Sequence, residues 1–216
     1  MISLNDSNLI IAFVLKLFAF VFSITFAGTL QAKISRWMGD DTADELGFGD
    51  FNPLVHVQFL DSIFFIIFEI MLGRPIPVNG SNLPQKNRLG RFFIIFGSRA
   101  AFHIVLSLIA IFGRAFIISF MINSQQNNSF MLLLQNFADV LAQINALLAG
   151  FCIIRESVYG FVAYHYAKNT RFIEYANPIL IFGVLLILIL FGGLILNATN
   201  QLIILLAQKM MRLFIF

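Results

Sequence analysis

The feature that most constrains this chain is a series of apolar stretches, each near or above the length that crosses a bilayer, separated by short polar breaks. A crossing helix needs about 20 predominantly apolar residues. The stretches cover residues 9–30, 92–122, 130–154 and 178–197, with two less regular ones at 56–72 and 202–216. Only 12% of the residues are charged and 59% are hydrophobic, so there is too little polar surface to coat a water-facing globule. The expected fold is all-α: a polytopic transmembrane helical bundle of five to six membrane segments, forming a single membrane domain over 1–216 with no soluble appendage. The first eight residues carry no Lys or Arg, Lys16 interrupts the run behind them, and no small-residue cleavage site follows. That run therefore reads as a retained helix and not a signal peptide.

The breaks are informative too. Residues 31–50, rich in acids and glycines, read as a loop. Segment 56–72 contains Asp61 and Glu69, which argue against a plain lipid-facing span and for one that re-enters or faces the bundle. Pro75, Pro77, Gly80 and Pro84 make 73–91 an irregular interfacial loop. Residues 155–177, with Arg155, Lys168 and Arg171, read as a further loop; Pro178 opens a helix, and 197–201 is a polar break. The last run, with Lys209 and Arg212, either completes a span or lies in the interface. Arg74, Lys86, Arg88 and Arg91 oppose an uncharged loop at 123–128, which puts the basic side, and with it the C-terminus, in the cytoplasm. The net charge of +3 is confined to such loops and forms no basic face, so nucleic acid is not an expected partner. A single cysteine, Cys152 in an apolar run, rules out an intrachain disulfide.

Residues 24–32 read Ile-Thr-Phe-Ala-Gly-Thr-Leu-Gln-Ala and are followed by Met38-Gly39-Asp40-Asp41-Thr42-Ala43. Phe51-Asn52-Pro53-Leu54-Val55-His56-Val57 comes next, then Gly73-Arg74-Pro75-Ile76-Pro77-Val78-Asn79 with Asn82-Leu83, and later Ile144-Asn145 through Phe151. In order and spacing these resemble the site-2 proteases, a family of intramembrane zinc metalloproteases. Its short bacterial members read like ITFHEFAHA, GDPTA, LNPLxHIDPIG, KPVPVN and INLxLALFN at these places. The resemblance runs from about residue 24 to at least 160. It implies a site-2-protease-like core over about 9–176, a C-terminal helical hairpin over about 177–216, and a bacterial inner (plasma) membrane setting.

The departures from that family bear on function. Family chemistry needs two histidines one helical turn apart on one zinc and a glutamate between them to take a proton from zinc-bound water. The matching positions are Ala27, Gly28 and Gln31. The third family ligand lies in a PPLDG turn, where this chain reads Arg155-Glu156-Ser157-Val158-Tyr159-Gly160, placing Tyr159 or Gly160 at the aspartate. The alignment leaves no catalytic residue, no metal ligand and no cofactor. The three histidines, His56, His103 and His165, form no HxxxH pair. His56 is expected to be a capping hydrogen bonder, His103 a hydrogen-bonded bundle residue and His165 an interfacial one.

Asp61, Glu69, Arg99, Arg114 and Asp139 lie in apolar segments, where charges must pair or be wetted. Arg99 and Arg114 return to one helix face, and contact with Asp61 and Glu69 is the simplest pairing. The acids at 40–50 do not follow a calcium-loop spacing and read as solvated. Asn79, Asn127 and Asn197 head N-x-S/T triplets of chance frequency, and the 27 Phe residues bulk out packing and lipid-facing surfaces. Three functions stay open: a non-catalytic scaffold or assembly subunit of a membrane complex, an active zinc protease with an atypical site, and an ion or proton carrier using Asp61 and Glu69. The first is preferred, with membrane lipids and other membrane-protein subunits as partners. Its structural or interaction candidates are Asn52, Pro53, His56, Asp61, Glu69, Pro75, Pro77, Asn79, Arg99, Arg114 and Asn145.

Overall fold

A computed structural model describes residues 4–124 and 128–166, with isolated positions between 194 and 212; side chains are described from residue 9 onward. The described residues are helical or irregular, with no strand. Over residues 4–166 six helices follow one another among the described residues: α1 (Leu4–Met38), α2 (Thr42–Glu45), α3 (Pro53–His56), α4 (Phe59–Phe68), α5 (Arg88–Ser124) and α6 (Ser129–Tyr166). Among them α1, α5 and α6 are long and apolar enough to cross a membrane, which makes this a membrane protein. Most of the remaining apolar sequence, 167–216, falls outside the described residues, including the helix expected from Pro178. Asn197, Ala198 and Gln201 are helical, where a polar break is expected.

The three long helices pack as a bundle, with α5 and α6 forming an antiparallel hairpin and α1 lying against both. Polar side chains glue it together. Asn145 on α6 donates to Ser23 Oγ on α1 at 2.8 Å and meets His103 Nδ1 on α5 at 2.8 Å, while Ser107 on α5 donates to the Ala142 carbonyl at 2.9 Å. Interhelical bonds of this kind, beside small residues such as Ala110 and Ala142, hold bundles where lipid removes the hydrophobic drive. His103 is thus a hydrogen-bonded bundle residue.

Two sequence-based loops are helical. Residues 31–38 continue α1, because Gln31, Ala32 and Ser35 point into the bundle and are buried. The helix stops at Gly39, whose φ of +108° suits only glycine; Gly39 N bonds Arg36 O and Asp40 N bonds Ser35 O, both at 3.0 Å, a Schellman ending. Likewise 155–166 continue α6, because Arg155 and Glu156 face inward and are buried. A charged residue at the end of an apolar run marks a boundary only if water meets it, and here protein does.

Segment 56–72 does not cross. At ten residues α4 is about 15 Å long, half the ~30 Å hydrocarbon thickness. It descends beside α1, from His56 near Gly28 to Glu69 beside Lys16, with the Phe65 ring tilted against Phe13 and edge-on to Phe20. Glu69 ends it in a left-handed conformation. Extended chain then climbs back past Ile24, which touches Gly73, to Asn79 at Asp40. The excursion is re-entrant, the alternative raised by Asp61 and Glu69.

Candidate functional site

The return of this re-entrant segment sets a physical problem. Non-helical backbone at membrane depth carries N–H and C=O groups that lipid does not satisfy, so protein must. All six such groups of residues 72–74 are met. Asp61 Oδ1 accepts from the Leu72 and Gly73 amides at 3.3 and 3.2 Å, and Arg74 N bonds the His56 carbonyl at 2.6 Å. Arg155 donates to the carbonyls of Leu72 at 2.8 Å and Gly73 at 3.0 Å. Arg99 donates to the Arg74 carbonyl at 2.9 Å and reaches that of Leu72 at 3.5 Å. The rigid guanidinium fork, rich in donors and without an acceptor, suits two neighbouring carbonyls.

Two buried guanidiniums need anions. Glu156 supplies one, with Oε1 at 2.6 Å from Arg155 and 3.9 Å from Arg99 and Oε2 accepting from Gln31 Nε2 at 3.1 Å. Asp61, buried beside the same backbone, supplies the second negative charge, so two cations balance two carboxylates. The four side chains come from α4, α5 and α6, and Gln31 ties in α1. Gly73 sits at the centre with φ +72°. A Cβ there would lie 2.3 Å from Ile24 Cγ2 and 2.8 Å from an Arg99 nitrogen. Only glycine fits.

Every expected pairing of the intramembrane charges is rearranged. Asp61 binds backbone and no arginine side chain. Glu69 pairs with Lys16, Arg114 with Asp139 at 3.3 Å, and Arg99 with Glu156. Helix-face periodicity aligned Arg99 with Arg114, but the partners come from α1 and α6, where periodicity within one helix says nothing. Arg155 and Glu156 are the residues sequence reasoning missed as site members. Their signal was the apolar continuation Val158 to Ala163, which shows the helix running on past them.

The positions that the resemblance assigns to zinc lie beside this cluster. Ala27 is fully buried, and a Cβ on Gly28 would lie 2.5 Å from His56 Nδ1, so the imidazole occupies the space in front of α1. His56 Nε2 lies 3.3 Å from the Asp50 carbonyl and 3.1 Å from Thr29 Oγ1, which makes it the capping hydrogen bonder expected. Burial pulls its pKa below the usual 6.5; the Asp50 carbonyl opposes that, and the charges of Arg99 and Arg74 add to it. Gln31 is engaged with Glu156, Tyr159 packs against the cluster of Leu83 and Phe92, and Gly160 abuts Phe96. Among the described residues no three of His, Cys, Asp and Glu converge on a point that could hold a metal ion. Zinc does not fit these positions.

The remaining candidates shape the loops. Asn52 caps α3 by accepting from Leu54 N at 3.1 Å, with Pro53 in the first turn, where its missing N–H costs nothing. Pro75 and Pro77 lie in the extended return and present no N–H to satisfy. The acidic loop is not simply solvated. Asp40 is buried and accepts from Thr42 Oγ1 at 2.6 Å, Thr42 N at 3.2 Å, Ser35 Oγ at 3.3 Å, Asn79 N at 2.8 Å and Asn82 Nδ2 at 3.1 Å. The His165 ring lies tilted against Phe161, with centroids 4.3 Å apart, near the end of α6. Compared with known proteins, the chain matches no family model, no curated protein and no solved structure.

Proposed function

We propose that this chain is a non-catalytic, site-2-protease-like membrane scaffold that serves as a structural or assembly subunit of a larger membrane complex. One observation carries the reading. Beside the positions where the resembled family has its metal and base, this chain has a charge-balanced cluster whose arginines and Asp61 hold its own backbone. Ala27 and Gly28 supply no donor, and the groups nearest them, His56 and Gln31, are committed to Asp50, Thr29 and Glu156. Side chains held in this way give a rigid platform that ties α1, α4, α5 and α6 together. The proposal includes further crossings from 178–197 and 202–216, for five to six segments, and a bacterial inner membrane with the Arg74 to Arg91 end cytoplasmic.

Gentle detergent extraction followed by native mass measurement and metal analysis tests it. The expected result is a particle heavier than one chain, with defined partner subunits and less than about 0.1 zinc per chain. A lone monomer contradicts the subunit role. Stoichiometric zinc that is lost on Gln31→Ala or His56→Gln restores the protease.

A further inference from the structure

A groove of about 480 Å³ runs along the outer flank of the α5–α6 hairpin, with small residues, Gly97, Ala101 and Ser157, on its floor and Phe93 and Phe161 at its rim. At Gly97 an added Cβ would meet nothing within 4 Å, so the hollow there is open space. The α5 wall runs from Leu89 to Ile104, about 22 Å at 1.5 Å per residue. Polar side chains on the floor are committed elsewhere: Glu156 to Arg155 and Gln31, while Ser157 Oγ donates to the Ile153 carbonyl at 2.6 Å. The hollow thus suits an apolar body that needs no polar partner, and its small residues let a helix come close.

The chain itself supplies such a body. Helix α6 ends at Tyr166, two residues beyond Tyr164, which lines the same end of the groove as Leu89. Residues 167–177 follow, enough for about 36 Å of extended chain, and Pro178 then opens a run that carries no charged or hydrogen-bonding side chain through Leu196. As a helix, 178–197 is about 30 Å long and outreaches the groove. Its tether gives it an effective concentration of about millimolar, ahead of a free helix of similar fit. Leu194, Asn197, Ala198, Gln201 and Leu205 are helical, exposed and spaced on one face. Carried back at about 100° per residue, the opposite face passes through Ile181, Leu185, Ile189 and Gly192. With Pro178 level with Leu89, Leu185 and Ile189 fall within one residue of the levels of Gly97 and Ala101, and each pair is spaced four apart. We propose that the groove is filled by a helix over 178–197 of this same chain, running alongside α5, with Leu185 in the hollow at Gly97 and Ile189 at Ala101. The inference rests on the crossing proposed for 178–197 and uses none of the positions around Gly28.

The test uses the full chain in native membranes with Cys152→Ser as background. Gly97→Cys with Leu185→Cys, and Ala101→Cys with Ile189→Cys, should each close to an intramolecular disulfide on mild oxidation, read as a reductant-sensitive gain in gel mobility. Phe112→Cys with Leu185→Cys, placed about 22 Å further along α5 on an exposed residue, should give at most about a tenth of that yield. Labelling of Ala176→Cys and Thr199→Cys from opposite sides by a membrane-impermeant maleimide reads the crossing separately. Two absent cross-links in a chain that does cross overturn the groove assignment and leave the scaffold reading standing. Disulfide-linked dimers in place of the internal bond give the groove to a second copy and overturn the assignment as well. Labelling of both single cysteines from one side removes the crossing, and the inference with it.

Discussion

The climbing segment 70–79 is anchored at two places, by a carboxylate on amides at both and by buried arginines at the inner one alone. At its inner end, cations hold carbonyls: Arg99 and Arg155 donate to residues 72–74, and Glu156 and Asp61 balance them. At its outer end an anion holds donors: Asp40 accepts from Asn79 N, Thr42 and Asn82. The difference follows from depth. Near the headgroups water can replace a lost bond, so one carboxylate with neutral partners suffices; in the hydrocarbon no substitute exists, and a charge placed there brings its counter-charge with it. The inner anchor should therefore be the more fragile to single substitutions.

Arg155→Met breaks that contrast most severely. It strips the Gly73 carbonyl of its donor and the Leu72 carbonyl of its nearer one, and leaves Glu156 without its closest partner; a broken buried pair costs about 3–5 kcal/mol. The full chain in detergent should lose its cooperative melt or unfold well below the wild type. Gly73→Ala comes next. Its methyl lands on Ile24 and Arg99 at positive φ, and the loss should exceed about 1–3 kcal/mol of backbone strain alone, read by the same melt. At the outer anchor, Asp40→Asn keeps the shape but loses charge-assisted acceptance and turns a donor toward donors. A loss of about 1–3 kcal/mol is expected, and a loss matching that of Arg155→Met would refute the depth argument.

The smallest effect is a pH slope from His56, which lies between the two anchors. Its imidazole stays neutral in the folded protein below the pH at which the unfolded chain takes up a proton. The stability it contributes is thus complete above about pH 6.5 and is lost as pH falls below that value, at up to about 1.4 kcal/mol per pH unit. His56→Gln should flatten that part of the pH dependence of melting. An unchanged slope would place the proton uptake elsewhere.

How far the sequence disclosed this architecture depends on what ends an apolar run. The spans at 9–30, 92–122 and 130–154 lie inside α1, α5 and α6, since continuous apolar sequence of that length has few other homes. The re-entrant turn was legible as one of two options because Asp61 and Glu69 forbid lipid on all sides. The ends of α1 and α6 were not legible. Gln31, Arg155 and Glu156 look like the start of water; for the latter two the apolar continuation Val158 to Ala163 is the one local sign that the helix runs on, and it does not say which carbonyls they face. The same blindness hid Asp40, whose partners come from Ser35, Thr42, Asn79 and Asn82, up to 42 positions away. Asn52 and Pro53 stood out only as structural candidates; the cap they form on α3 is set by their immediate neighbours.

The claim that arginines solvate a buried return segment is tested most directly by amide hydrogen exchange at Leu72, Gly73 and Arg74 in the full chain in lipid nanodiscs. Protection at these three amides should match that of the α5 interior and fall about a hundredfold in Arg155→Met, while α5 keeps most of its own. If the wild-type amides at 72–74 exchange as fast as those of Gln85 and Lys86 in the exposed loop, the segment is wet, the arginines hold nothing there, and the account fails.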